Sequence, residues 1–388
     1  MFQSTYNLFT LPETHEFTLM YKILARPLLF RLNSDAAHDL AISTAGSVSK
    51  KDWALSIARS VYTYKDPSLK QKIFGLEFEN PIGLAAGFDK NGSAAPLMEA
   101  LGFGFVEIGS VTADPSTGNP KPRSFRLPKD ESLINRLGLN NDGARTISRR
   151  VGKLNLNIPL GINIAKTHNP AIMGDAALED YKISFDLVKD IADYITINIS
   201  CPNTEEGKTF EDPETLNSLL KKLSIRDDSS LPPVLVKFSV DLGETMLKEL
   251  IEVCESHSVG GYVATNTSSE RDNLKTSESR LSRIGRGGLS GQAIRNKSTA
   301  MIEKISDYTN REKPIIGVGG VNSAEHAIEK LKAGADLLQI YTGLVYEGPG
   351  LVKRINKGLS GYLKKEGLDN IYQIRSSSKK SATGQLET

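Results

Sequence analysis

From Asn80 onward the chain sets short apolar, β-branched runs against longer stretches with apolar residues every three or four positions. Runs of the first kind read as buried strands, and stretches of the second as helices with one covered face. The strands fall at 81–86, 105–111, 159–165, 194–200, 233–239, 260–267, 314–320 and 337–344. Helical spacing fills most of the gaps, as at 178–191, 213–223, 244–257, 293–308 and 324–333. Eight strands in this alternation, spread over about 280 residues, predict a (β/α)8 TIM barrel, because parallel neighbours need crossover helices and eight strands close on themselves. A doubly wound open sheet is the alternative. The stretch 112–157 is too long for one crossover, and Pro115, Pro120, Pro122 and Pro128 mark it as loops or a small hairpin over the barrel mouth.

Ahead of the barrel, residues 18–32 are apolar with Lys22, Arg26 and Arg31 interspersed, and Pro27 is expected to kink or divide them. A second helix is expected to start at a cap, Ser34 or Asp35, and to carry Ala37, Leu40, Ala41 and Thr44 along one face. This two-helix hood either packs on the barrel or lies on a membrane surface with its basic residues toward the headgroups. The organisation is therefore an N-terminal extension, 1–17, a hood, 18–50, a barrel, 51–375, and a polar, disordered tail, 376–388.

Composition narrows the partners. Of 388 residues 39% are hydrophobic and 24% charged, and a net charge of +2 argues against a dedicated nucleic-acid binder. The two cysteines, Cys201 and Cys254, give neither a disulfide framework nor a zinc pattern. Cys254 shares a helical face with Leu247, Leu250 and Ile251 and reads as core. No secretory signal opens the chain, residues 1–16 are poor in arginine, and no apolar run approaches the roughly 18 residues of a transmembrane helix.

In a barrel of this kind the active site lies at the carboxyl ends of the strands. Those positions are unusually polar here: Asp89 and Lys90, Ser110 and Thr112, Asn163 and Lys166, Asn198 to Thr204, Lys237, Thr265 to Thr267, and Tyr341 with Thr342. A lone Asn there is ordinarily a turn former and a lone Cys ordinarily core, but the recurrence of polar residues on seven of the eight strands points to a site. In Asn198-Ile-Ser-Cys-Pro-Asn-Thr204, two amides, a thiol and two hydroxyls follow a buried strand around one proline. Gly287-Gly-Leu-Ser-Gly291 and Gly317-Val-Gly-Gly320 let backbone amides approach an anion, and the second precedes a helix cap. A phosphate site late in the barrel follows. Lys237 interrupts an apolar strand, and a cation in a barrel interior needs an anionic or electron-withdrawing partner. Together these features suggest FMN, with a flat polar substrate near Cys201 held by Lys90, Asn135, Asn203 and Asn266.

The chain resembles the dihydroorotate dehydrogenases from about residue 21 to 365. The likeness is carried by Asn80-Pro-Ile-Gly-Leu-Ala-Ala-Gly-Phe-Asp-Lys90, Gly102-Phe-Gly-Phe-Val-Glu-Ile-Gly-Ser-Val-Thr112, Gly118-Asn-Pro-Lys-Pro-Arg-Ser-Phe-Arg-Leu-Pro128, Ile134-Asn-Arg-Leu-Gly-Leu-Asn140, the motif at Asn198, Val263-Ala-Thr-Asn-Thr267 and the two glycine clusters. Ala37-His-Asp-Leu40 and the two N-terminal helices are similar to the hood of the membrane-associated class 2 enzymes, which pass electrons to a quinone.

That resemblance implies flavin contacts at Ala85, Ala86, Gly87, Ser110, Asn163, Asn198, Lys237, Thr265, Gly288, Gly320, Tyr341 and Thr342. It implies dihydroorotate contacts at Lys90, Asn135, Asn198, Asn203, Asn266 and Thr267, and a quinone passage at His38, Arg126 and Tyr341. The implied reaction, a step of pyrimidine synthesis, removes a proton from substrate C5 by a base at Cys201 and passes hydride from C6 to FMN. The implied location is the cytoplasmic face of a bacterial-type membrane, with peripheral attachment.

Two departures stand out. Class 2 members usually carry serine where this chain has Cys201, and cysteine is typical of the soluble class 1 enzymes. A thiol with an ordinary pKa near 8.5 needs less help than a hydroxyl to act as a base. Leu137 and Leu139 replace aromatic residues often found beside the substrate carboxylate. A soluble relative using fumarate, a relative acting on dihydrouracil and a non-catalytic flavin-binding barrel are the competing readings. The hood, Lys90 and the intact base and amide set speak against them in turn.

Overall fold

The computed structural model describes residues 20–200, 210–226, 228 and 230–375. The expectations for the N-terminal extension, the tail, Cys201 and Asn203 lie outside these residues. Eight parallel strands form a closed barrel in simple consecutive order: β1 (Ile82–Leu84), β2 (Phe105–Val111), β3 (Leu160–Ile164), β4 (Tyr194–Asn198), β5 (Val234–Phe238), β6 (Gly261–Ala264), β7 (Ile315–Val318) and β8 (Leu337–Ile340). Each lies inside its expected span, and the open-sheet alternative falls with the pairing of β8 to β1.

Local chemistry explains the helices between them. In Pro213–Lys222, Asp212 accepts the Thr215 amide at 2.9 Å, Pro213 fits the first turn, and Leu216, Leu219 and Leu220 are buried. Ala324–Ala333 starts at the Ser323 cap and stops at Gly334, whose φ of 119° a side chain would resist.

Along each barrel strand alternate side chains point inward, and the interior is layered. Phe105, Tyr194, Leu235, Val263, Ile316 and Leu337 make an apolar floor. A short hairpin, Gln71–Ile73 with Leu76–Phe78, closes it from below through Ile73 and Phe78. Room for the large rings comes from facing glycines: a Cβ on Gly83 would lie 2.3 Å from the Phe105 ring, and one on Gly161 2.1 Å from Tyr194. The next inward positions are polar: Glu107, Asn163, Thr196, Lys237 and Gln339, all buried.

Over the mouth stands a three-stranded antiparallel sheet of Ser124–Leu127, Ser132–Asn135 and Gly288–Gly291. The hairpin expected within 112–157 is its first two strands; the first glycine cluster supplies the third strand.

The hood differs from expectation in two respects. Pro27 does not divide the first helical segment; it sits in the first turn of Arg26–Arg31, which runs on without a break from the π-helical Tyr21–Ala25. The break comes at Leu32, where ψ turns to 153°. The second helix, Ser34–Val48, is capped by Asn33, which accepts the Ala36 amide at 2.7 Å, so Ser34 and Asp35 are free for other contacts. A third helix, Asp52–Tyr62, follows directly.

Candidate active site

The carboxyl ends of the barrel strands, the three-stranded sheet and the glycine turn enclose one pocket. Ala85, Ala86, Gly87, Lys90, Ser110, Asn135, Asn198, Lys237, Thr265, Asn266, Thr267, Gly320, Tyr341 and Thr342 all line it. Sequence positions as far apart as 85 and 342 thus converge as the strand-end rule requires. Leu137 and Leu139 line it as well. Asn163 lies one layer back, beneath Ser110, whose hydroxyl donates to Asn163 Oδ1 at 2.5 Å. Gly288 also lies behind the wall: its carbonyl accepts from Asn135 Nδ2 at 3.3 Å, and a Cβ there would strike the Thr267 hydroxyl.

Two cations face this space. Lys90 is 8% exposed and Lys237 6%, and neither ammonium has a hydrogen-bond partner among the described residues. Burial, with the Arg123 guanidinium nearby, brings Lys90 down to about 8. Burial also lowers Lys237, opposed by the negative charge of Glu107. A buried ammonium without a hydrogen bond is unfavourable, so the pair prepares the pocket for anionic or electron-rich groups.

Amides set the orientation of a ligand. Asn266 Nδ2 donates to Asn198 Oδ1 at 3.3 Å and to the Ser200 hydroxyl at 3.1 Å, and it also bonds the Ser200 carbonyl. Tyr181 donates its hydroxyl to the Asn198 carbonyl at 2.8 Å. The chain entering Cys201 is therefore held from both sides. On the far side of the pocket, Gly319 and Gly320 have φ of 130° and 72° and end β7 where a phosphate can meet backbone amides. Thr265 Oγ1 is buried without a partner among the described residues. A phosphorylated flavin fits these groups: it offers acceptors for Lys237 and Thr265, and an anion for the turn.

The hood joins the pocket through Tyr341. The His38 ring lies 6.4 Å from the Tyr341 ring, nearly parallel at 13°, and 5.4 Å from Phe88, edge to face. Burial, with Lys90 nearby, drives His38 down to about 3, so the ring is neutral. Arg126 stands apart, with its guanidinium 4.5 Å from the Phe30 ring; it donates to the Leu29 carbonyl at 2.9 Å and also to the Leu32 carbonyl. It clamps the hood to the mouth sheet. Two of the three basic residues expected to reach headgroups engage the barrel instead: Lys22 pairs with Glu347 at 2.7 Å and Arg26 donates to the Tyr346 carbonyl at 3.2 Å, while Arg31 is exposed. Met20, Ile23, Leu24, Leu28 and Leu32 form the exposed face.

One group escaped the sequence reading. Glu107 interrupts an apolar strand just as Lys237 does, and that same signal marks it.

Fold and pocket together define a TIM-barrel enzyme whose site opens at the strand ends beneath a helical hood. The profile of the dihydroorotate dehydrogenase family matches residues 68–363. The dihydroorotate dehydrogenase (quinone) of Gloeobacter violaceus is 41% identical over 350 residues, 90% of this chain and 97% of that protein. The protein of the same name from Natronomonas pharaonis is 40% identical over 91% of this chain and 97% of its own length. Among solved structures, DHODH of Eimeria tenella in complex with ferulenol superposes with a TM-score of 0.77 at 29% identity, covering 89% of this chain and 97% of that one. The chain belongs to the dihydroorotate dehydrogenase family, and its relatives place it with the quinone-dependent, class 2 members. Membership in that family implies a flavin cofactor.

Proposed function

We propose that the protein oxidises dihydroorotate to orotate with FMN as cofactor, in pyrimidine biosynthesis, and passes the electrons to a membrane quinone. The observation that carries this reading is the pair of buried lysines, Lys90 and Lys237, facing one pocket with no hydrogen bond to either ammonium among the described residues. Lys90 suits the substrate carboxylate and Lys237 the electron-rich edge of the flavin. The flavin would be held by Ala85 to Gly87, Ser110, Asn198, Lys237, Thr265, Gly320, Tyr341 and Thr342, with Asn163 and Gly288 supporting from behind. FMN bound there supplies the acceptor for the hydride that leaves substrate C6. Asn135, Asn198, Asn203, Asn266 and Thr267 orient the ring, and Cys201, three residues past Asn198, takes the C5 proton as thiolate.

The quinone would approach between the hood and Tyr341, past His38, with Arg126 fixing the hood wall. No helix among the described residues is long and apolar enough to cross a membrane. The exposed face of Met20, Ile23, Leu24, Leu28 and Leu32 suits peripheral attachment to the cytoplasmic face.

Anaerobic addition of dihydroorotate to the purified protein tests the first half. Bleaching of the flavin band is expected; a yellow protein that stays yellow overturns the substrate, and a colourless one the cofactor. Cys201→Ala should abolish fast bleaching, and re-oxidation of the bleached protein by a short-chain quinone, but not by fumarate, tests the acceptor.

A further inference from the structure

Glu107 is completely buried in β2, on the polar layer directly under the pocket. Four donors converge on it. Oε1 accepts from Asn163 Nδ2 at 3.0 Å; Oε2 accepts from Gln339 Nε2 at 2.7 Å and from the Tyr194 and Thr196 hydroxyls, each at 3.1 Å. A carboxylate accepts only, so it fixes the polarity of everything bonded to it. Asn163 must turn its Nδ2 to Glu107, which leaves Oδ1 for the Ser110 hydroxyl at 2.5 Å. With its proton committed, Ser110 accepts from Asn198 Nδ2 at 3.2 Å, and Asn198 therefore offers Oδ1 to Asn266 at 3.3 Å. The same carboxylate is the charge that acts on Lys237 from below.

We infer that Glu107 is a positioning residue: it is the protein's own counter-charge to Lys237 under the flavin site, and the fixed end of a hydrogen-bond chain that orients Asn198 and Asn266. The inference rests on the flavin reading of the pocket. A negative charge at this depth disfavours electron uptake above it, because little solvent screens it. Glu107 thus holds the flavin potential below the value Lys237 alone would set.

The test is the midpoint potential of the bound flavin, measured spectroelectrochemically, together with orotate affinity. Glu107→Gln keeps the shape, and Gln339, whose Oε1 has no partner among the described residues, can turn its amide to keep their bond. Thr196→Val removes one hydrogen bond and keeps the charge. Glu107→Gln should shift the reduction equilibrium at least tenfold toward reduced flavin, about 30 mV for a two-electron couple. It should also weaken orotate binding, while Thr196→Val leaves the potential in place. An unchanged potential in Glu107→Gln, or an equal shift in Thr196→Val, overturns the inference. Should Glu107→Gln fail to fold, the wild-type holoenzyme decides: its redox infrared difference spectrum, with isotope-labelled glutamate, should contain a shifting carboxylate band, and absence of one overturns the assignment. A wild-type protein without a flavin spectrum overturns the cofactor reading itself.

Discussion

Lys90 is held where the ligand-free fold gains nothing from it. Its ordinary value of 10.5 falls to about 8 in the folded chain. Between those two values unfolding takes up a proton, so stability rises with pH across that window, and below about 8 the folded protein carries the full cost of a desolvated charge. Lys90→Met should therefore raise the melting temperature without ligand, while orotate affinity falls by about 2–3 kcal/mol, roughly a hundredfold. Calorimetry and product titration, run on the same preparations, read the two effects. In the wild type, orotate affinity should stay level up to about pH 8 and then drop about tenfold per unit as Lys90 loses its proton. Affinity that continues level to pH 10 would remove Lys90 from the carboxylate.

At the scale of elements, the mouth sheet is the part that joins two functions. Its strand Ser124–Leu127 presents Arg126 to the hood, while Ser132–Asn135 presents Asn135 to the pocket. Around Arg126, Asp35 accepts the Arg123 amide at 2.9 Å and the Ser34 and Ser124 hydroxyls meet at 2.9 Å. Hydrogen bonds from a charged donor contribute about 1.5–3 kcal/mol each. Arg126→Ala should accordingly loosen the hood, seen as faster proteolysis before Ser34. It should slow re-oxidation by quinone about tenfold or more and leave dihydroorotate-driven bleaching unchanged. Arg126→Lys should restore little, since an ammonium cannot bond two carbonyls and cover the Phe30 ring at once. The contrast between barrel and mouth also shows what a sequence discloses. β1 to β8 are legible because each is a short apolar run flanked by turn formers, and their order imposes the site at their carboxyl ends. The pairing of Gly288–Gly291 with Ser132–Asn135 joins segments about 150 residues apart, as Asn135 and Gly288 show, and no local pattern encodes it. Pro27 misleads because the path reaches it from the π-helical turn Tyr21–Ala25, where the Arg26 amide bonds the Tyr21 carbonyl and the i−4 pairing is already shifted, and Asn33 wins the cap because its side chain reaches the Ala36 amide. Lys237 was visible as a polar residue in an apolar strand, but its counter-charge Glu107 lies on a strand three places away around the barrel.

For the molecule as a whole, the joint between hood and barrel covers the Tyr341 side of the pocket. His38 is central to it, packed against both Phe88 and Tyr341, whose rings also meet each other at 5.3 Å. Burial, then Lys90 and more weakly Arg123, disfavour its protonation; Asp39 and the Phe88 backbone favour it, and the balance leaves it at about 3. The folded value lies below the ordinary 6.5, so the unfolded or detached state binds the extra proton. The stabilisation is complete above about 6.5 and is lost progressively as pH falls toward about 3. At about 1.4 kcal/mol per pH unit, moving from pH 6.5 to 5 costs the joint on the order of 2 kcal/mol. Asp39 pairs with Lys121 at 2.6 Å in the open and is screened there, so it offsets little of this. His38→Leu keeps an apolar side chain against the two rings and removes the titration. Urea unfolding at pH 7 and pH 5 should show a loss of stability in the wild type that is smaller by about 2 kcal/mol in His38→Leu, after the carboxylates common to both cancel. Proteolysis before Ser34 should follow the same pattern. Equal losses in both proteins would mean that acid acts on the barrel and not on the joint.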